Sequence, residues 1–310
     1  MAPQTPLSTE FRLFADADLL QLVLEHCDMR DLMTFAAMST TNANRVCWYL
    51  RHQLDVICTP FFPTSEHLTN ILSVCDAVVS GSAALRMVLP ANACNWPSSD
   101  LDIYVPHHSH TQLYNLLHKH HYNIVRNGKL NIQNYSPSTI FTVTTFGNGQ
   151  SLIDVIVSKT ASALSPIFQF YSTAVMNFFS ADSLYCAYPS LTLRHRAMIN
   201  MSSLHQCTFS PSHIQALLKY KSRRFRIISC DETNHPPFAC RTQIRSLNDR
   251  GWLSLDFASV PRRGADPSAT FYRLGIVDAV WTLGGQVCGS TSLCVPPILH
   301  IIEDCSYVVL

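Results

Sequence analysis

The chain has 310 residues, of which 47% are apolar and 14% charged, with a formal net charge of +1. That length allows one large domain or two small ones, and the apolar share is enough for a sizeable core. The near-neutral balance excludes a global pull toward nucleic acid or membrane and leaves such binding to local patches. The opening Met1-Ala-Pro-Gln-Thr-Pro6 lacks a basic stretch followed by an apolar run, and no apolar span is long enough for a membrane helix. A chain with no membrane partner, in the cytoplasm or nucleus, is therefore expected. Its twelve cysteines contain no Cys-x-x-Cys pair and are expected to sit reduced in the core.

Residues 8 to about 55 read as short helices. Leu19, Leu20, Val23 and Leu24 recur at helical spacing, a second helix begins at Asp31, and a third runs near 44–52. The segments Asp18-Leu-Leu-Gln-Leu-Val-Leu24 and Asp31-Leu-Met-Thr-Phe-Ala-Ala-Met38 resemble an F-box, although Ala15-Asp16 stands where the usual Leu-Pro pair would be. The resemblance implies docking on a Skp1-type adaptor of a ubiquitin ligase through residues 8–55. The other reading of the same helices is a cap on the domain that follows.

From residue 61 the pattern becomes α/β. His67 to Val74 reads as a helix. Ala77-Val-Val79 is a short buried strand ending in Ser80-Gly81-Ser82, and the helix from Ala83 to Leu89 is stopped by Pro90. Leu101, Ile103 and Val105 alternate with Asp100, Asp102 and Tyr104, which predicts a strand with one apolar and one carboxylate face. Leu113, Leu116 and Leu117 mark another helix. Two β-rich runs, 139–146 and 151–157, flank Gly147-Asn-Gly149, a hairpin turn that places Asp154 mid-strand. Ser210-Pro211 opens a helix that carries Lys219, Arg223 and Arg226, three or four apart on one face, and Arg194 and Arg196 form a second basic pair. Beyond residue 230 only Trp252 to Phe257 and Ile298 to Ile302 suggest strands. The expected fold class is thus α/β (α+β), a mixed sheet with flanking helices and an N-terminal helical module. The expected divisions are 1–60, 61–230 and an unassigned extension at 231–310.

The chemistry lies in three carboxylates. Side chains two apart on a strand share a face, so Asp100 and Asp102 repel each other unless a cation lies between them. A hard, oxygen-seeking ion such as Mg²⁺ suits them, and Asp154 from a neighbouring strand completes a site for two ions. Strand, Gly81-Ser82 and helix start together leave backbone N–H groups facing outward, which favours an anion, and Gly81 allows close approach.

The order Gly81-Ser-Ala-Ala-Leu-Arg86, Ser99-Asp-Leu-Asp-Ile103 and Ile153-Asp-Val155 resembles the DNA polymerase β-like nucleotidyltransferase superfamily. Within it the pattern is similar to abortive-infection-type toxins and to a set of fungal proteins with a helical N-terminus. The resemblance implies a Mg²⁺-dependent transferase that moves a nucleoside monophosphate from a nucleoside triphosphate to a hydroxyl acceptor. It implies triphosphate on Gly81 and Ser82, catalytic and metal-binding roles for Asp100, Asp102 and Asp154, and Lys219 on the nucleotide phosphates. The acceptor is left open between an RNA end, a protein hydroxyl and a small molecule. The seventeen residues from 83 to 99 are longer than the compact motif. The alternative is a catalytically inactive domain serving as an F-box-type adaptor or interaction module. The histidines crowded between His107 and His121, and Cys230, His235 and Cys240, lack metal-ligand spacing, and no basic-aromatic pattern marks an RNA surface.

Overall fold

Asp16, Asp28 and Ser39 each open a helix by accepting hydrogen bonds from first-turn amides, a device that stabilises a helix by about 1 kcal/mol. The helices are α1 (Ala17–Glu25), α2 (Met29–Met38) and α3 (Thr40–Cys58). The Asp28 cap is a full capping box closed by Asp31. Helix α3 runs well past the 44–52 expected because no glycine or proline interrupts it before Pro60, and Ala43, Val46, Leu50, Leu54 and Ile57 line one buried face. The fold comes from a computed structural model that describes residues 16–96, 99–128, 139–200, 211–229, 238–247, 249–257, 274, 276–288 and 293–303.

Helix α4 (Ser65–Val74) leads into β1 (Val78–Ser80), which turns directly into α5 (Gly81–Val88). Then come β2 (Asp100–Val105), α6 (His110–Lys119), β3 (Asn123–Gly128), β4 (Ile140–Gly147) and β5 (Leu152–Ser158). The turn between β4 and β5 is held by Asn148, whose side chain accepts from the amides of Gln150 and Ser151. Short α7 (Ser165–Phe168) is followed by β6 (Asn177–Phe179), β7 (Ser183–Cys186), α8 (Pro189–Thr192) and β8 (Arg196–Ala197). The chain continues through α9 (Pro211–Ser222), β9 (Arg226–Ile227), β10 (Arg245–Ser246), β11 (Leu253–Asp256), β12 (Ile276–Thr282), β13 (Gly285–Gln286), β14 (Cys294–Val295) and β15 (Ile298–Glu303).

Eight strands form one sheet in the order β11-β7-β6-β1-β2-β5-β4-β3. Only β2 and β5 run parallel within it, so the architecture is mixed α/β, as the element pattern suggested. Period-two alternation sorts its two faces. Leu101, Ile103, Val105, Ile153, Val155 and Val157 enter one core, shared with residues of α1 to α6. Val78, Tyr104 and Ile156 enter a second core on the opposite face, shared with Trp281, Leu274 and Ile276 from the C-terminal region.

That C-terminal region is tied to the sheet by specific contacts. β11 pairs with β7, Trp281 stacks on Phe168 at 4.3 Å, and its indole N–H donates to the Tyr188 hydroxyl at 2.9 Å. Arg245, fully buried, pairs with Asp249 at 2.6 Å and lies against the Tyr188 and Trp281 rings. Packing therefore crosses both positions, 60/61 and 230/231, at which the sequence was divided. Among the described residues no helix is long and apolar enough to cross a membrane.

Candidate active site

The tight passage from β1 into α5 places the first functional residue. Gly81 has φ +67°, a left-handed conformation that costs other residues dearly. A Cβ on it would also overlap Oδ2 of Asp102 and lie 3.2 Å from its Cγ. Glycine is thus required twice at this position, once by the backbone and once by the carboxylate beside it. Ser80, which precedes α5, does not cap it. Its hydroxyl turns away and donates to the Asn177 carbonyl at 2.6 Å, so α5 begins without a side-chain cap from the residue before it.

Register places the carboxylates. β2 and β5 are parallel neighbours, and Asp102 stands opposite Asp154. Asp100 lies two residues before Asp102 on the same face. One oxygen from each of the three lies within 4.8 Å of the others, and all three residues are half-buried. Among the described residues this is the one group of three or more His, Cys, Asp or Glu side chains so placed. The crowded histidines do not converge into such a group, and Cys230 and His235 lie outside the described residues.

The supporting contacts are asymmetric. Thr145, opposite Asp154 across the β4–β5 ladder, donates to Asp154 Oδ1 at 2.6 Å, while Ser99 donates to Asp100 Oδ1 at 2.9 Å. Asp102 carries the electrostatic cost. Burial, then Asp100, then Asp154 raise its pKa from 3.8 to about 7, with Lys219 acting in the opposite direction. A carboxylate held back from ionising by burial and by two others beside it is one whose charged form a bound cation would favour.

Lys219 offsets part of the charge at Asp102 from α9, whose Tyr220 hydrogen-bonds Ser82 and so brings the helix to the site. The expected single basic face of that helix is corrected, however. Helix α9 ends at Ser222, and Arg224 has φ +68°. The Phe225 amide then bonds back to the Tyr220 carbonyl at 3.0 Å, so that Phe225 is buried and Arg226 falls on β9. The turn directs Arg223 into the site, where its Nη1 donates to Ser82 Oγ at 2.9 Å. The guanidinium lies 4.7 Å from the Trp96 ring centre and 5.2 Å from that of Tyr220. Tyr220 itself hydrogen-bonds Ser82 and Tyr171.

Arg223, Trp96, Tyr220 and Thr145 were not singled out for the site from the sequence, except that Arg223 was noted as one of a basic trio. Their contacts join segments up to 141 residues apart, and no local pattern encodes them. Compared with known proteins, the chain matches no family model, no curated protein and no solved structure.

Proposed function

We propose that the chain is a metal-dependent nucleotidyltransferase of the DNA polymerase β-like kind, moving a nucleoside monophosphate from a nucleoside triphosphate to a hydroxyl acceptor. The observation that carries this reading is the meeting of two features. Three carboxylates converge within 4.8 Å, and a glycine whose missing Cβ makes room for one of them opens a helix that its N-cap residue leaves without a side-chain cap. Asp100, Asp102 and Asp154 offer only oxygen ligands, the donor set that Mg²⁺ prefers. When bound, the ions would lower the pKa of an attacking hydroxyl and offset the charge of the triphosphate.

The protein's own residues divide the remaining work. Asp102, which lies against the Gly81 turn, would hold a metal ion as a carboxylate together with Asp100 and Asp154. Thr145 orients the Asp154 carboxylate through its 2.6 Å bond. The amides at the start of α5, together with Ser82, present donors to phosphate oxygens. Lys219 and Arg223 add positive charge from α9 and from the turn after it, and the stacking of Arg223 on Trp96 and Tyr220 fixes its direction.

The test is calorimetry of the purified chain with each nucleoside triphosphate, with and without Mg²⁺. Binding of at least one triphosphate only in the presence of Mg²⁺, lost in Asp100→Ala/Asp102→Ala, is expected. Failure of all four to bind at millimolar concentration would overturn the assignment.

A second reading, an adaptor built on the F-box-like helices, is favoured by one observation. A groove of about 420 Å³ between α1 and α3 is lined by Leu20, Leu24, Arg45 and Trp48, and Trp48 is 57% exposed. Co-purification with a Skp1-type partner, abolished by Trp48→Ala, would support it. It is abandoned if the two proteins do not associate at micromolar concentrations.

A further inference from the structure

Residues 183 to 230 contain no Asp or Glu, although the chain has 21 acidic residues in all. The same stretch holds seven of the 22 Lys and Arg, namely Arg194, Arg196 and five between Lys219 and Arg226. In a chain of net charge +1 this is a strong local imbalance. The fold concentrates it further. β8 and β9 pair in parallel with Arg196 directly beside Arg226, fixed by the Arg226 amide donating to the His195 carbonyl at 2.8 Å. Arg194, Arg224 and Arg226 are exposed and Arg196 half-buried. Burial, and after it the nearby Arg224, hold the His195 pKa below its usual range. Like charges held side by side on neighbouring strands repel each other, and an anion lying along them lowers that repulsion.

This surface is continuous with the carboxylate site. Arg223 is bonded to Ser82, and Arg226 follows three residues later, a distance of at most about 10 Å along an extended chain. A compact phosphate such as a nucleotide would be served by Ser82, Lys219 and Arg223 alone. Cations that continue outward for several further residues suit a ligand that is itself extended and repeatedly charged.

We propose that the β8–β9 arginines form a track for the phosphodiester backbone of a single-stranded polynucleotide, whose hydroxyl end reaches the carboxylate site. The nature of that end rests on the nucleotidyltransferase reading, whereas binding by the track does not. The experiment titrates the full chain into a labelled 20-nucleotide single strand, as RNA and as DNA, and follows anisotropy at several salt concentrations. The affinity is expected to fall with salt, the logarithmic slope changing by roughly 0.7 per phosphate contacted. Arg194→Gln/Arg196→Gln/Arg226→Gln should weaken binding at least about tenfold and make the slope shallower by about 2. Arg30→Gln/Arg51→Gln/Lys119→Gln, which removes the same charge from the helical layer, should change neither.

Thermal unfolding of each variant reports folding. If the triple variant unfolds, Arg194→Gln/Arg226→Gln, which leaves the half-buried Arg196 in place, takes over with a proportionally smaller shift in slope. A preference between RNA and DNA identifies the sugar. The track is refuted if neither strand binds, if the variant and its control lose affinity equally, or if vesicles rich in phosphatidylserine are preferred over both strands. Strand binding that persists in a chain unable to bind any nucleoside triphosphate would sustain the track and reject nucleotidyl transfer.

Discussion

Replacing Gly81 by alanine adds a single carbon, and two separable costs follow from where it goes. The first is conformational. An L-residue at φ +67° pays about 1–2 kcal/mol for the left-handed backbone, whatever surrounds it. The second is steric. The new Cβ would overlap Oδ2 of Asp102 and press on Cγ at 3.2 Å, while Asp102 Cβ at 3.6 Å is in ordinary contact. The carboxylate must rotate away from its preferred position, which costs about 1 kcal/mol and moves a candidate ligand. Together the two come to about 2–3 kcal/mol, or a fall in Tm of roughly 3–5 °C for a chain of this size.

Because the second cost exists only while Asp102 has a carboxylate, Gly81→Ala in an Asp102→Ala background should lose only the conformational part. A double-mutant cycle by urea unfolding should therefore give a coupling of about 1 kcal/mol, and Gly81→Ala alone should weaken Mn²⁺ binding. Equal costs in the two backgrounds, or no cost at all, would refute the account of why glycine stands at this position.

Four further outcomes are expected. Mg²⁺ or Mn²⁺ should stabilise the wild-type chain by about 2.7 kcal/mol at a hundred times its Kd, and should do nothing for Asp100→Ala/Asp154→Ala in differential scanning fluorimetry. Without divalent ions, Asp102 keeps its proton in the folded chain up to about pH 7, whereas in the unfolded chain it ionises near 3.8. Stability should therefore be lost as pH rises between those values and level off above them, and urea unfolding of Asp102→Asn in a chelator should show a flatter profile. Asp249→Ala leaves the guanidinium of fully buried Arg245 without its carboxylate and should cost about 3–5 kcal/mol, read from denaturant midpoints. Arg223→Lys cannot reproduce the planar stack on Trp96 and Tyr220 while donating to Ser82. It should weaken triphosphate binding nearly as much as Arg223→Ala, and recovery to the wild-type affinity would argue against the stacked geometry.

Elements with a strong local signal were legible in advance. β2 was readable from the alternation of three aliphatic residues with two carboxylates, and it runs over Asp100–Val105 as expected. The β4–β5 hairpin followed from Gly147-Asn-Gly149, and the N-terminal helices from their apolar spacing. What was missed lacks such a signal. β3 is exposed along almost its whole length, so no burial pattern marks it. β6 and β7 are short and buried on both faces, which removes the alternation. β8 and β9 have two residues each and exist because Phe225 turns the chain back. In the site, the carboxylates and the glycine turn could be read as motifs, because each sits on one short segment. The Arg223–Ser82 bond and the meeting of Arg196 with Arg226 could not, because each depends on distant parts of the chain being folded together.

The sheet also separates how the molecule can be held from what it can do. Helices α1 to α3 share the core on the apolar face of β2 and β5, whereas the carboxylates belong to the opposite face. A partner gripping the groove beside Trp48 would hold the molecule from behind and leave the acidic face turned outward. The two readings of the chain, as transferase and as tethered module, are therefore physically compatible. A protein bound through its helices would become an immobilised tool whose working face is presented to whatever the tether brings near.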